Sequence, residues 1–120
     1  MSVEILKLDD VEPRVVMGGP IKIMFTPETV NAKHLRFSVG YFDPGQGLAA
    51  HIHPESEEVY YVIGGSGTVY VGEKRKPTRV EADTAIYIPP GTVHGVENTG
   101  SEKLIVAFFV APGKEKSVVA

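Results

Sequence analysis

His51-Ile52-His53-Pro54-Glu55-Ser56-Glu57-Glu58-Val59-Tyr60-Tyr61-Val62-Ile63-Gly64-Gly65 is the stretch that decides how this chain is read. Side chains alternate along a strand, so imidazoles at i and i+2 share a face only if His51 to His53 is extended. A carboxylate cluster follows after a short turn. Behind it runs a β-branched and aromatic segment that reads as a strand in its own right. Farther on, Pro89-Pro90-Gly91-Thr92-Val93-His94 brings a third of the four histidines into a Pro-Gly turn that leads into another strand. Three imidazoles and a carboxylate on neighbouring strands make a donor set for a divalent transition metal: Mn, Fe, Co, Ni, Cu or Zn.

Working outward, Gly and Pro punctuate short β-rich runs from end to end. The strands expected are Ile21 to Thr26, Leu35 to Phe42, Ala49 to His53, Glu58 to Ile63 and Thr68 to Val71, followed by Thr78 to Val80, Ala85 to Ile88, His94 to Glu97 and Lys103 to Val110. Prolines fall at the boundaries, where a missing N–H costs no ladder bond. Val3 to Leu8 reads as a further edge strand, and Glu28 to Lys33 is helix-compatible but short. No amphipathic helical period of useful length is present. The pattern is all-β: a sandwich, jelly roll or small barrel.

Bulk properties narrow the class further. At 120 residues the chain is expected to be a single domain, 1–120, that buries roughly two-thirds of its unfolded surface. With no cysteine, thiolate metal sites, disulfides and cysteine nucleophiles are excluded, which suits a reducing compartment. Net charge is −3, and the one basic cluster, Lys74-Arg75-Lys76, is far short of a nucleic-acid footprint. Met1 to Asp10 mixes charges among its apolar residues and does not read as a signal peptide. Leu104 to Ala111, the longest apolar run, has eight residues against the about 20 that span a bilayer. The expectation is a cytoplasmic protein without nucleic-acid or membrane partners.

Two spaced motifs carry a family resemblance. Gly45-x5-His51-x-His53-x4-Glu58-x6-Gly65 resembles the first motif of the cupin superfamily, and Pro89-x-Gly91-x2-His94-x3-Asn98 resembles the second. The resemblance implies a double-stranded β-helix, or jelly-roll barrel, with a core over about 35–111. The segment 1–30 would supply an edge strand or one exchanged with a partner. It also implies one divalent metal ion held by His51, His53, Glu58 and His94. Glu57 fits the first motif as well if Gly64 replaces Gly65; a Glu followed directly by Val59-Tyr60-Tyr61-Val62 is the family habit and favours Glu58. One departure stands out: the second motif usually opens on a glycine where this chain has Asp83, so the turn is expected to carry an extra residue.

Other residues are read more plainly. Asn98 is a turn former before Thr99-Gly100, Glu55 a solvated loop charge and His34 a surface residue. Tyr60 shares a face with Glu58 and is a candidate to contact substrate or handle a proton, with Glu57 as a second candidate. On Leu35 to Phe42, either Arg36 with Ser38 or Phe37 with Tyr41 faces inward. Leu104 to Val110 reads as buried on both faces, an apolar edge that points to a homodimer. Function is expected to be metal-dependent chemistry on a small oxygen-rich ligand, such as a hydroxy or keto acid or a sugar derivative, by dioxygenase, decarboxylase, lyase or isomerase routes. The alternatives are a non-catalytic small-ligand or sugar-binding module and a structural barrel.

Overall fold

Alternating apolar residues make each strand two-faced, and two sheets bury their apolar faces against each other. The computed structural model describes residues 3–120, leaving Met1 and Ser2 outside. The strands are β1 Arg14–Val16, β2 Gly19–Phe25, β3 Arg36–Phe42, β4 Gly47–Ile52, β5 Glu57–Gly64, β6 Ser66–Val71, β7 Lys76–Glu81, β8 Ala85–Ile88, β9 His94–Glu97, β10 Leu104–Ala111 and β11 Val118–Val119. They form a six-stranded sheet, β1-β2-β3-β10-β5-β8, facing a five-stranded one, β11-β4-β9-β6-β7. Every pairing is antiparallel, as in a jelly roll. The core between them is built around Phe42, Tyr60, Val69, Val96, Leu104 and Phe108. Among the described residues no helix is long and apolar enough to cross a membrane.

Nine expected strands are present, with ends shifted by a few residues. Val3 to Leu8 is not an edge strand: Val3 and Ile5 are exposed, and a 3-10 turn occupies Leu8–Asp10. With no buried face, nothing fixes a register there. The first edge strand is instead β1, and β11 was also unforeseen. A single helical turn, α1 Pro27–Val30, follows Thr26, whose hydroxyl caps it through the backbone N–H of Thr29 at 3.0 Å.

Two sequence expectations are corrected by the sheet order. β10 is not an edge; it lies between β3 and β5. Nor is it buried along the whole of both faces, since Phe109 on the outer side is 44% exposed. On β3, Gly40 and Phe42 face the core, so Arg36 and Ser38 point the same way, while Phe37 stacks outside on Phe109 at 4.9 Å. At the turn after β7, Asp83 itself takes the left-handed conformation, with φ 66, that glycine would otherwise supply. Gly65 cannot be replaced so easily: φ is 79, and a Cβ there would run into the carbonyl of Lys103.

Candidate metal centre

β4 carries His51, runs directly into His53, and is bent to do so. Leu48 pairs with Val96 and His51 with His94, so that Ala49 and Ala50 on β4 stand against Gly95 alone on β9. That is a β-bulge, and it keeps Leu48 and His51 both inward. Ala49 is thereby exposed rather than sharing the histidine face, as simple alternation had suggested. Its carbonyl accepts from His51 Nδ1 at 2.7 Å. His94 repeats the device on β9, its Nδ1 donating to the carbonyl of Thr92 at 2.8 Å. The Pro89-Pro90-Gly91 turn is pinned beside them by a Gly91 N–H bond to the His53 carbonyl at 2.8 Å.

His51, His53, Glu58 and His94 offer one donor atom each, and these lie within 4.8 Å of one another. All four are buried, between 1% and 8% exposed. Glu58 Oε1 is 2.9 Å from His94 Nε2 and 3.1 Å from His53 Nε2. Because a carbonyl only accepts, His94 Nδ1 must carry the ring proton of a neutral imidazole. Its Nε2 lone pair then faces a carboxylate oxygen at hydrogen-bond distance. Two acceptors that close need a cation between them, either a second ring proton or a metal ion. The donor set therefore fits a divalent metal: two rings with Nδ1 engaged, Nε2 atoms turned inward and one carboxylate to balance charge.

Electrostatics follow from burial. It lowers His51 from the usual 6.5 to about 4, with the positive potential of His94 adding to the effect against the Ala49 hydrogen bond. Burial alone would raise Glu58, yet hydrogen bonds from His53 and His94 outweigh it and hold the carboxylate below its ordinary range. Tyr60 is fully buried, packed edge-on against Phe108 at 4.7 Å and His94 at 5.8 Å. Burial and the Glu58 charge push its phenol well above its usual range, so it stays protonated. Its hydroxyl finds no hydrogen-bond partner among the described residues.

The other candidates fall elsewhere. Glu57 sits on the opposite face of β5, exposed, and accepts from the Tyr87 hydroxyl at 2.8 Å; strand alternation takes it away from the cluster. Asn98 is buried but structural: its amide donates to the carbonyls of Phe42 and Glu102, and its oxygen accepts from Gly100 N–H. His34 is exposed. Arg36 ends at the barrel rim, donating to the Gly113 carbonyl at 3.0 Å and pairing with Glu28 at 2.6 Å. A cleft of 720 Å³ opens beside it, and none of the four cluster residues lines that cleft.

One contributor had no signal in the sequence. The segment after β10 crosses from the six-stranded sheet to the five-stranded one, where β11 pairs with Ile52 and His51. On the way Glu115 accepts from the backbone N–H groups of Glu55 and Ser56 at 2.8–2.9 Å. Glu115 thus fastens the loop that joins His53 to Glu58. Burial pushes its carboxylate up, and the hydrogen bonds from Glu55 and Ser56 together outweigh it and hold the group below the ordinary range.

The family model described as a cupin domain matches residues 38–111, which include all four cluster residues. This chain belongs to the cupin superfamily. The cupin is 30% identical over 112 residues to polyketide synthase CurC of Streptomyces cyaneus, covering 93% of this chain and 71% of that one. It is also 30% identical over 107 residues to the tetracenomycin polyketide synthase protein TcmJ of Streptomyces glaucescens, covering 89% and 70%. A crystal structure of a conserved Klebsiella pneumoniae protein with a double-stranded β-helix domain superposes with a TM-score of 0.83 at 25% identity, covering 99% of this cupin and 98% of that chain.

Proposed function

We propose that this cupin is a small metal-dependent enzyme acting on a compact oxygen-rich substrate, a hydroxy or keto compound that presents neighbouring oxygens. The observation that carries the reading is the convergence of His51, His53, Glu58 and His94, buried and within 4.8 Å. A divalent ion held by these four residues would supply Lewis-acid or redox chemistry. The remaining roles belong to the chain. Tyr60, protonated and with no hydrogen-bond partner among the described residues, would donate a hydrogen bond beside His94. Arg36, inward on β3 and in register through Val110 with Glu58, stands at the rim, where an acidic substrate would have to displace Glu28 from its guanidinium. Two relatives named as polyketide synthase proteins support a substrate rich in keto oxygens.

A binding role without turnover is the second reading, favoured by how closed the cluster is. Each barrel holds its complete donor set within one chain, so pairing into a homodimer would bring together two independent sites in a cytoplasmic protein.

The test has two steps. Elemental analysis of protein purified without added metal should give close to one transition-metal ion per chain, lost in His51→Ala; full metal content in that variant would sink the assignment. Oxygen uptake and product formation are then followed on a panel of keto acids, hydroxy acids, catechols and sugars. Metal-dependent turnover supports the enzyme, and saturable binding without turnover the second reading.

A further inference from the structure

The three imidazoles of the cluster are not held alike. His51 and His94 sit in the β4–β9 ladder, and each has its Nδ1 on a carbonyl, of Ala49 and Thr92 respectively. Glu58 is likewise fixed in β5, in register with Val110 and Ile88. His53 lies beyond the end of β4, and its buried Nδ1 has no partner among the described residues. A ring that binds a metal is ordinarily aimed by a hydrogen bond on its far nitrogen. His53 lacks that bond, so its main chain must aim it. On one side the Gly91 N–H holds its carbonyl at 2.8 Å. On the other it runs into the turn Pro54-Glu55-Ser56.

Residues 112–120 run antiparallel along this same stretch and bond to it point by point. The Pro112 carbonyl accepts from Ser56 Oγ at 2.7 Å, and the Glu115 carboxylate accepts from the N–H groups of Ser56 and Glu55. Val118 and Val119 then pair with Ile52 and His51, and the Ala120 N–H donates to the Ala50 carbonyl at 3.0 Å. Burial does not account for the tail's course, since Val118 is 54% exposed and Val119 67%. Its firmest hold is Glu115, where three charge-assisted bonds meet two adjacent N–H groups. We propose that Glu115 is a positioning residue for the metal centre: by fixing the Glu55-Ser56 turn it keeps His53 against the three ligands that the sheets already fix, and so governs how tightly a metal is held. The inference rests on the reading of the four residues as a metal centre and deepens it. Three ligands are preset by strand pairing, and the fourth depends on the tail.

The probe is cobalt(II), added to the chelator-treated full chain and followed by its visible absorption in competition with a chelator. Glu115→Ala should bind cobalt about 10- to 100-fold more weakly than wild type, the usual cost of removing a group that supports a metal ligand. Glu115→Gln keeps one acceptor oxygen and should fall between the two. Lys116→Ala, exposed on the same tail, should bind as wild type does. Asn98→Ala separates positioning from general stability. Its lost hydrogen bonds lie outside this turn, so it should melt earlier than wild type and still bind cobalt as tightly. Wild-type affinity in Glu115→Ala overturns the proposal and leaves the metal centre standing. So does an equal loss of affinity in Asn98→Ala. A wild-type chain that takes up no cobalt, or as much after His51→Ala, overturns the centre itself and this proposal with it.

Discussion

Replacing Tyr60 by phenylalanine removes one oxygen and leaves the ring in place. The ring is what packs, edge-on to Phe108 and to His94, and it is fully buried. The oxygen has no partner within the described residues. A buried hydroxyl left unpaired costs about 1–3 kcal/mol, so the metal-free Tyr60→Phe protein should be more stable than wild type by about 1 kcal/mol or more. For a domain of this size that raises the melting temperature by roughly 4 °C. The measurement is a pair of thermal melts on chelator-treated protein, read by circular dichroism. Metal-loaded Tyr60→Phe should show weaker ligand binding or turnover, because the hydroxyl kept at a cost to stability is the one placed to donate to a substrate. If the metal-free variant is instead destabilised by more than about 1 kcal/mol, the hydroxyl is already satisfied and the argument fails.

Three further outcomes follow from the same geometry. Glu58→Gln should lose most of its bound metal while Glu57→Gln keeps it, measured by elemental analysis, because only Glu58 shares a face with the histidines. Metal-free protein should lose stability in acid: His51 titrates near 4 when folded against 6.5 when unfolded, so the unfolded chain binds more protons in between. Stability is complete above about 6.5 and drains by about 3 kcal/mol as the pH falls toward 4, with the lowered Glu58 acting in the same direction at the acid end, as urea titrations at stepped pH would show. Asn98→Ala strips hydrogen bonds from two carbonyls and should destabilise by about 3 kcal/mol with metal stoichiometry unchanged; a selective loss of metal would make Asn98 part of the centre instead.

Much of the barrel and of the cluster is legible in the sequence. The strands of the barrel were legible because alternation and Gly-Pro punctuation are local, and the four cluster residues because each sits in a short motif with fixed spacing. What escaped was non-local. The bulge between Leu48 and His51 arises from how β4 meets β9, and no residue in β4 announces it. Glu115 reaches the ligand loop from sixty residues away in the chain, through a tail that carries no pattern of its own. Leu104 to Val110 differs for a related reason: an uninterrupted apolar run looks doubly buried, and only the three-dimensional arrangement shows that Phe109 on the outer side is exposed.

Asn98 closes the second motif, yet it serves the loops at the end of β3 and after β9 and makes no bond to the cluster of His51, His53, Glu58 and His94. Gly65 closes the first, and it serves a crowded backbone crossing at Lys103. Each motif is thus two inheritances written on one line, a set of ligands and a set of demands made by the barrel itself. A descendant that had discarded its histidines would still draw stability from the glycine and the asparagine. Matching those positions in another sequence identifies the architecture; only the three imidazoles and the inward carboxylate testify to chemistry.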